Sequence, residues 1–185
     1  MAPRAALLVS AIACAVLSLL ALAGARPQSR PPSFPPSAAQ ARRLLATLTV
    51  APDRDGRTYR RDAFGPRTEG LAGPRIRRDP YTGKDPGAWI ETDHVVPLGD
   101  AWRSGAAHWP PGERARFAGD GDNLLAVGGQ ANQDKGARTP DQWRPRRAFW
   151  CEYARRWTAI KARYGLHVTA AERRALTGML AICVE

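Results

Sequence analysis

Histidine is scarce in this chain, three among 185 residues, and so is cysteine, also three. No CxxC pair and no close cluster of histidine and cysteine occurs. A structural zinc site therefore has no ligand set to draw on. HExxH and the P-loop signature are absent, and without a GxSxG elbow a serine-hydrolase nucleophile has no strained turn to sit on. "GGQAN", residues 128–132, is not a phosphate-binding loop of recognisable type. Acid is in short supply: 17 Asp and Glu stand against 28 Lys and Arg, a formal net charge of +11. Such an excess suits a polyanion, whether nucleic acid, an anionic wall polymer or lipid headgroups. Solubility in an arginine-rich composition accounts for the charge equally well.

Long apolar runs are also lacking, with one exception at residues 5–25. That run follows Arg4 and closes on Ala23-Gly24-Ala25, a small-x-small site, with Arg26 after it. The pattern predicts a signal peptide over residues 1–25 and a secreted, extracellular product. The run is long enough to cross a bilayer, so an uncleaved anchor with the domain facing outside is the alternative. Residues 1–25 carry one base and no acid, and almost the whole charge excess stays with the exported part. Cys14 lies inside the run and reads as a small apolar residue. Cys151 and Cys183 remain, and in an oxidising compartment an even pair reads as a disulfide. A cysteine nucleophile is disfavoured for the same reason.

Residues 26–37, rich in proline and serine, read as an extended linker, and residues 38–185 as one domain. Ser37-x-x-Gln40 has the form of a capping box before a short amphipathic helix carrying Ala41, Leu44, Leu45 and Leu48. Residues 50–84 are rich in Gly, Pro and charge and read as loops with short strands, ending in the turn signal "DPYTG". Residues 88–98 read as a strand. Residues 98–122 look helical and then loop-like, with a Pro-Pro break. Residues 123–129 read as a second strand, and a helix is expected to begin near Ala131 and stop before Pro140. In the C-terminal third Trp150, Tyr153, Ala154, Trp157 and Ile160 trace one helical face. Thr169-x-x-Glu172 caps a last helix with Leu176, Met179, Leu180 and Cys183 on one side. Cys151 and Cys183 would staple these two helices. The class is α+β.

Within this frame "ETDHVVPLGDAW", residues 91–102, places a histidine directly after an aspartate where a strand should end. Adjacent strand residues face opposite ways, so the two share a site only if the strand stops or twists there. Pro97 fits a chain leaving the ladder. "DHVVPL" at 93–98, "DNLLAV" at 122–127 and "NQDKGARTPDQW" at 132–143 then follow in the order strand, excursion, strand, helix. In these three boxes the sequence resembles the HNH endonuclease superfamily. More narrowly it is similar to the exported bacterial branch with an HxxP box, related to the C-terminal nuclease domain of GmrSD-type restriction endonucleases. The matching core covers residues 81–143.

The resemblance implies a ββα-metal core, with helices added and a C-terminal helical pack, that hydrolyses phosphodiester bonds to 5′-phosphate and 3′-hydroxyl products. His94 takes the role of general base, since a neutral imidazole accepts a proton near neutral pH. Asp93 and Asn132 take the role of ligands to one divalent cation, Mg²⁺ in the first place and Mn²⁺ as the alternative, because hard cations favour oxygen donors. Asn123 holds the loop that carries His94. Lys135, Arg138 and Arg103 are candidates for holding flanking phosphates, with solvated helix charge as the other reading of the two arginines. Glu91, two residues before Asp93, is either a support beside the metal or a polar strand edge. His108 and His167 are expected outside the site, and Trp102 and Trp143 in the core rather than under stacked bases. DNA is the favoured partner, with RNA as the alternative, and little sequence preference is expected because no major-groove reader is evident. No stable protein partner is implied, and a membrane only if the leader stays. The competing expectation is a non-catalytic basic protein that binds nucleic acid or anionic polymer on a degenerate nuclease scaffold.

Overall fold

Ser37 opens the first helix. In the computed structural model, which describes residues 34–52, 57–67 and 74–184, its hydroxyl accepts from the Gln40 amide at 3.2 Å. The Gln40 side chain returns the bond to the Ser37 amide at 2.9 Å. This box starts α1, Ala38–Thr47, which turns Ala38, Ala41 and Leu45 inward. The expected leader, residues 1–25, and linker residues 26–33 lie outside the described residues. Residues 34–37, the end of the stretch read as linker, pack on the domain. The guanidinium groups of Arg156 and Arg163 sit 5.3 and 5.2 Å from the Phe34 ring centroid, and Arg155 donates to the Pro35 carbonyl at 3.2 Å.

Among the described residues the sheet is a single antiparallel pair. β1, Ile90–His94, runs against β2, Leu124–Gly128, in a register from Ile90↔Gly128 to His94↔Leu124. Expected strand residues 95–98 leave the ladder, and Pro97 precedes α2, Leu98–Arg103. Residues 110–111 do not break the chain as expected: α3 is Pro111–Ala118, with the second proline at its first position. There a missing N–H costs nothing and the fixed φ suits the helix. α4, Gly129–Lys135, follows β2 directly, so strand, strand and helix come in that order. It ends well before Pro140 because Gly136 turns the chain at φ +51, where a side chain would be strained. No strand forms among the described residues between 57 and 84. A 3₁₀ turn, Arg61–Phe64, stands there instead and buries Phe64 against Trp102 and Phe117.

α5, Trp150–Arg163, and α6, Ala170–Ala181, pack on each other and on α1. α5 buries Tyr153, Ala154, Trp157 and Ile160 along the expected stripe, and Trp150 stays partly exposed at its end. Thr169 and Glu172 form the second capping box. Cys151 in α5 is bonded to Cys183, just beyond α6, with 5.2 Å between Cα atoms. A buried charge cluster pins three helices at one point. Lys161 of α5 lies 2.8 Å from the Asp100 carboxylate of α2 and 3.2 Å from that of Glu172 of α6. Trp157 donates to Glu172 at 2.6 Å and Lys161 to the His167 carbonyl at 3.0 Å.

Candidate active site

The site begins where the ladder stops. Asn123, fully buried, accepts from the Val96 amide at 2.9 Å and donates to the Val96 carbonyl at 3.1 Å, while its own carbonyl accepts from Val95 at 2.8 Å. Three bonds from one residue thus replace the next rungs of the sheet and fix the backbone just after His94.

His94 is buried at the end of β1, its ring parallel to that of Phe117 with an 8° interplanar angle. Nε2 lies 2.7 Å from the carbonyl oxygen of Ala118, the last residue of α3. A carbonyl only accepts, so this bond assigns the hydrogen to Nε2 and the lone pair of the neutral ring to Nδ1.

The Asp93 carboxylate is also buried. Tyr81 donates to it at 2.5 Å, and Lys135 Nζ lies 3.0 Å from each of its oxygens. Burial raises the Tyr81 hydroxyl well above the ordinary tyrosine range, and the adjacent carboxylate adds to the effect. Tyr81 therefore stays a donor. Burial lowers Lys135, and Asp93 opposes that. The structure differs from expectation here: the Lys135 ammonium is fully buried and is spent on Asp93 and on the His94 carbonyl at 2.8 Å.

Asn132, on α4, donates through Nδ2 to Glu91 Oε2 at 2.8 Å. The other Glu91 oxygen accepts from the indole of Trp89 at 2.9 Å. Glu91 thus touches the helix residue of the motif, a contact across forty residues that periodicity could not reveal. Its one signal was the place of Glu91 on the Asp93 face of the strand.

Asp93, His94 and Asn132 line one cleft of about 280 Å³, together with Tyr59 and the start of α2. A second groove, sharing Gln133, Gly136 and Ala137 with it, is flanked by Arg103 and Arg138. Arg103 donates to the Ala137 carbonyl at 2.9 Å and Arg138 to that of Asp134, so both are tied to the end of α4. His108 and His167 do not line the cleft, and Trp102 is buried in the core. Among the described residues no three His, Cys, Asp or Glu side chains gather as a metal cluster. Of the residues that line the cleft, Asp93 and Asn132 carry hard oxygen donors, those of Asp93 already accepting from Tyr81 and Lys135. That set suits Mg²⁺, which keeps several waters, and fits poorly with zinc, which takes nitrogen and sulfur.

Residues 55–179 match the family described as GmrSD restriction endonucleases, C-terminal domain. A protein of Arthroderma benhamiae named "Uncharacterized secreted protein" is 38% identical over 200 residues, covering 91% of this chain and 97% of that one. No solved structure matches. Among the described residues no helix is long and apolar enough to cross a membrane.

Proposed function

This chain belongs to the family of GmrSD restriction endonuclease C-terminal domains, and from that membership and the cleft we propose that it is an exported, metal-dependent endonuclease on a ββα-metal core. The substrate is nucleic acid, DNA before RNA, cut with little regard to sequence. The observation that carries the reading is the convergence of Asp93, His94 and Asn132 on one cleft. The bond from His94 to the Ala118 carbonyl leaves Nδ1 as the nitrogen that can take a proton.

In this reading His94 Nδ1 takes the proton of the water that attacks phosphorus. Asn123 keeps the imidazole in place by fixing the backbone at Val95 and Val96. Asp93 and Asn132 hold one divalent cation, which when bound offsets the charge that grows on the phosphoryl and leaving oxygens. Tyr81 and Lys135 hold the Asp93 carboxylate in one orientation. Arg103 and Arg138, beside the cleft, contact flanking phosphates without reading bases. Export is supported by the apolar leader and by the name of the relative. The test is incubation of the purified protein with supercoiled plasmid, single-stranded DNA and RNA, in Mg²⁺, in Mn²⁺ and in EDTA. Cleavage in metal and none in EDTA supports the reading. Retardation of DNA without cleavage in any condition assigns the basic surface to binding alone and removes the enzyme.

A further inference from the structure

We propose that Glu91 is a positioning residue, which fixes the Asn132 carboxamide so that its oxygen and not its nitrogen faces the cleft. The proposal rests on the reading of Asn132 as a cation ligand. A carboxamide is nearly symmetric in shape, and turning it over would aim an NH₂ group at the cation. Packing alone distinguishes the two orientations poorly. An ionised carboxylate can only accept, so Glu91 Oε2 at 2.8 Å selects the orientation with Nδ2 toward itself.

Glu91 is held in turn. Its Oε1 accepts from Trp89 at 2.9 Å, and the indole lies directly over Gly129, where a Cβ would come within 2.1 Å of the ring. The Gly129 amide donates to the Trp89 carbonyl at 2.9 Å. The first turn of α4 and the entry to β1 are thereby locked together, with the Glu91 carboxylate spanning them. Trp89 is 46% exposed, an open position for so large an apolar ring, and its hold on Glu91 gives it a purpose there. Both Glu91 oxygens thus accept hydrogen bonds, one from the helix residue and one from the strand entry. Support of this kind around a metal ligand, when removed, typically weakens metal binding by about 10–100-fold.

The experiment measures Mg²⁺ and Mn²⁺ binding by calorimetry, and plasmid nicking against Mg²⁺ concentration. It uses the full protein and the variants Glu91→Ala, Glu91→Gln and Gly129→Ala, each checked for folding by circular dichroism. Glu91→Ala is expected to weaken metal binding by about tenfold or more and to raise the Mg²⁺ needed for half-maximal nicking by the same factor, with a smaller effect on the plateau rate. Glu91→Gln, whose one side-chain oxygen can accept from Asn132 or from Trp89 but not from both, is expected to fall between the wild type and Glu91→Ala. Gly129→Ala, which displaces the indole but touches neither carboxylate nor ligand, also weakens binding. Equal losses in Glu91→Gln and Glu91→Ala would overturn the proposal, since the charge and not the orientation would then matter. An unchanged Glu91→Ala would sink it too, and with it only this proposal. A wild-type protein that neither binds metal nor nicks DNA takes down the nuclease reading as well. If Glu91→Ala does not fold, the Gln and Gly129 variants decide.

Discussion

Lys135 Nζ lies 3.0 Å from the Asp93 carboxylate and 2.8 Å from the His94 carbonyl oxygen. One buried ammonium therefore grips both residues of the Asp-His step. This grip, with the end of the ladder at His94, is how two neighbours in a strand come to line a single cleft. Replacing Lys135 with methionine keeps the length of the side chain but leaves the buried carboxylate without its cation. The expected cost is about 3–5 kcal/mol of stability, read from the urea midpoint. A loss below about 1 kcal/mol, the size of an exposed pair, would mean that the ammonium is replaceable by water.

The two side-chain bonds from Asn123 to Val96 replace a rung of the sheet. Asn123→Ala leaves a buried amide and a buried carbonyl without partners, at about 1–3 kcal/mol for each. Thermal unfolding checks the magnitude. Nuclease activity should fall further than the loss of folded protein explains, because the backbone after His94 is released. Activity that tracks the folded fraction alone would limit Asn123 to stability.

Asp100 and Glu172 share one buried ammonium, that of Lys161, and Arg103 adds a longer contact to Asp100 at 3.9 Å. Burial first, then the attraction of Lys161 and the repulsion of Asp100, leave the Glu172 carboxyl pushed up to about 7 from 4.5. Between those values the folded protein holds a proton that the unfolded chain releases, so this group's contribution makes stability fall as pH rises from about 4.5 to about 7. The slope ends above that window, and the raised Lys161 value acts only at far higher pH. The full change is on the order of 3 kcal/mol. Glu172→Gln should remove it. Denaturant unfolding at pH 5 and pH 8 should then show a larger drop for the wild type than for the variant, and equal drops would contradict the account.

The Cys151–Cys183 bond closes a loop with a sequence separation of 32. Reduction, or Cys151→Ser with Cys183→Ser, is expected to lower stability by about 3–4 kcal/mol through the entropy returned to the unfolded chain. The urea midpoint should fall and the slope should rise, because the unfolded chain is less compact without the crosslink.

Much of this frame was legible. Both capping boxes, the two strands and the α5 stripe follow from local chemistry and period, which act over a few residues. The start of α3 at Pro111 was misread because a proline pair looks like a break until one asks which helix position the second occupies. The end of α4 was signalled by Gly136 itself. What stayed hidden is long-range and polar. Lys135 reads as a contact for a flanking phosphate, yet it lies three residues after Asn132 on a helix that closes over Asp93. Lys161, Asp100 and Glu172 come from three separate helices, and nothing in their spacing announces a shared site. Such pairings are decided by packing after the helices have formed.

The central claim is that His94 is the base of a metal-dependent nuclease, and one measurement meets it head-on. Single-turnover nicking of supercoiled plasmid is followed in Mg²⁺ for the wild type and for His94→Ala, with folding checked by circular dichroism. The account predicts metal-dependent nicking that falls by about 10²–10⁴-fold in the variant, while DNA retardation by the variant stays as it was. Nicking at the same rate in a folded His94→Ala would contradict it, as would a wild type that retards DNA and never cuts.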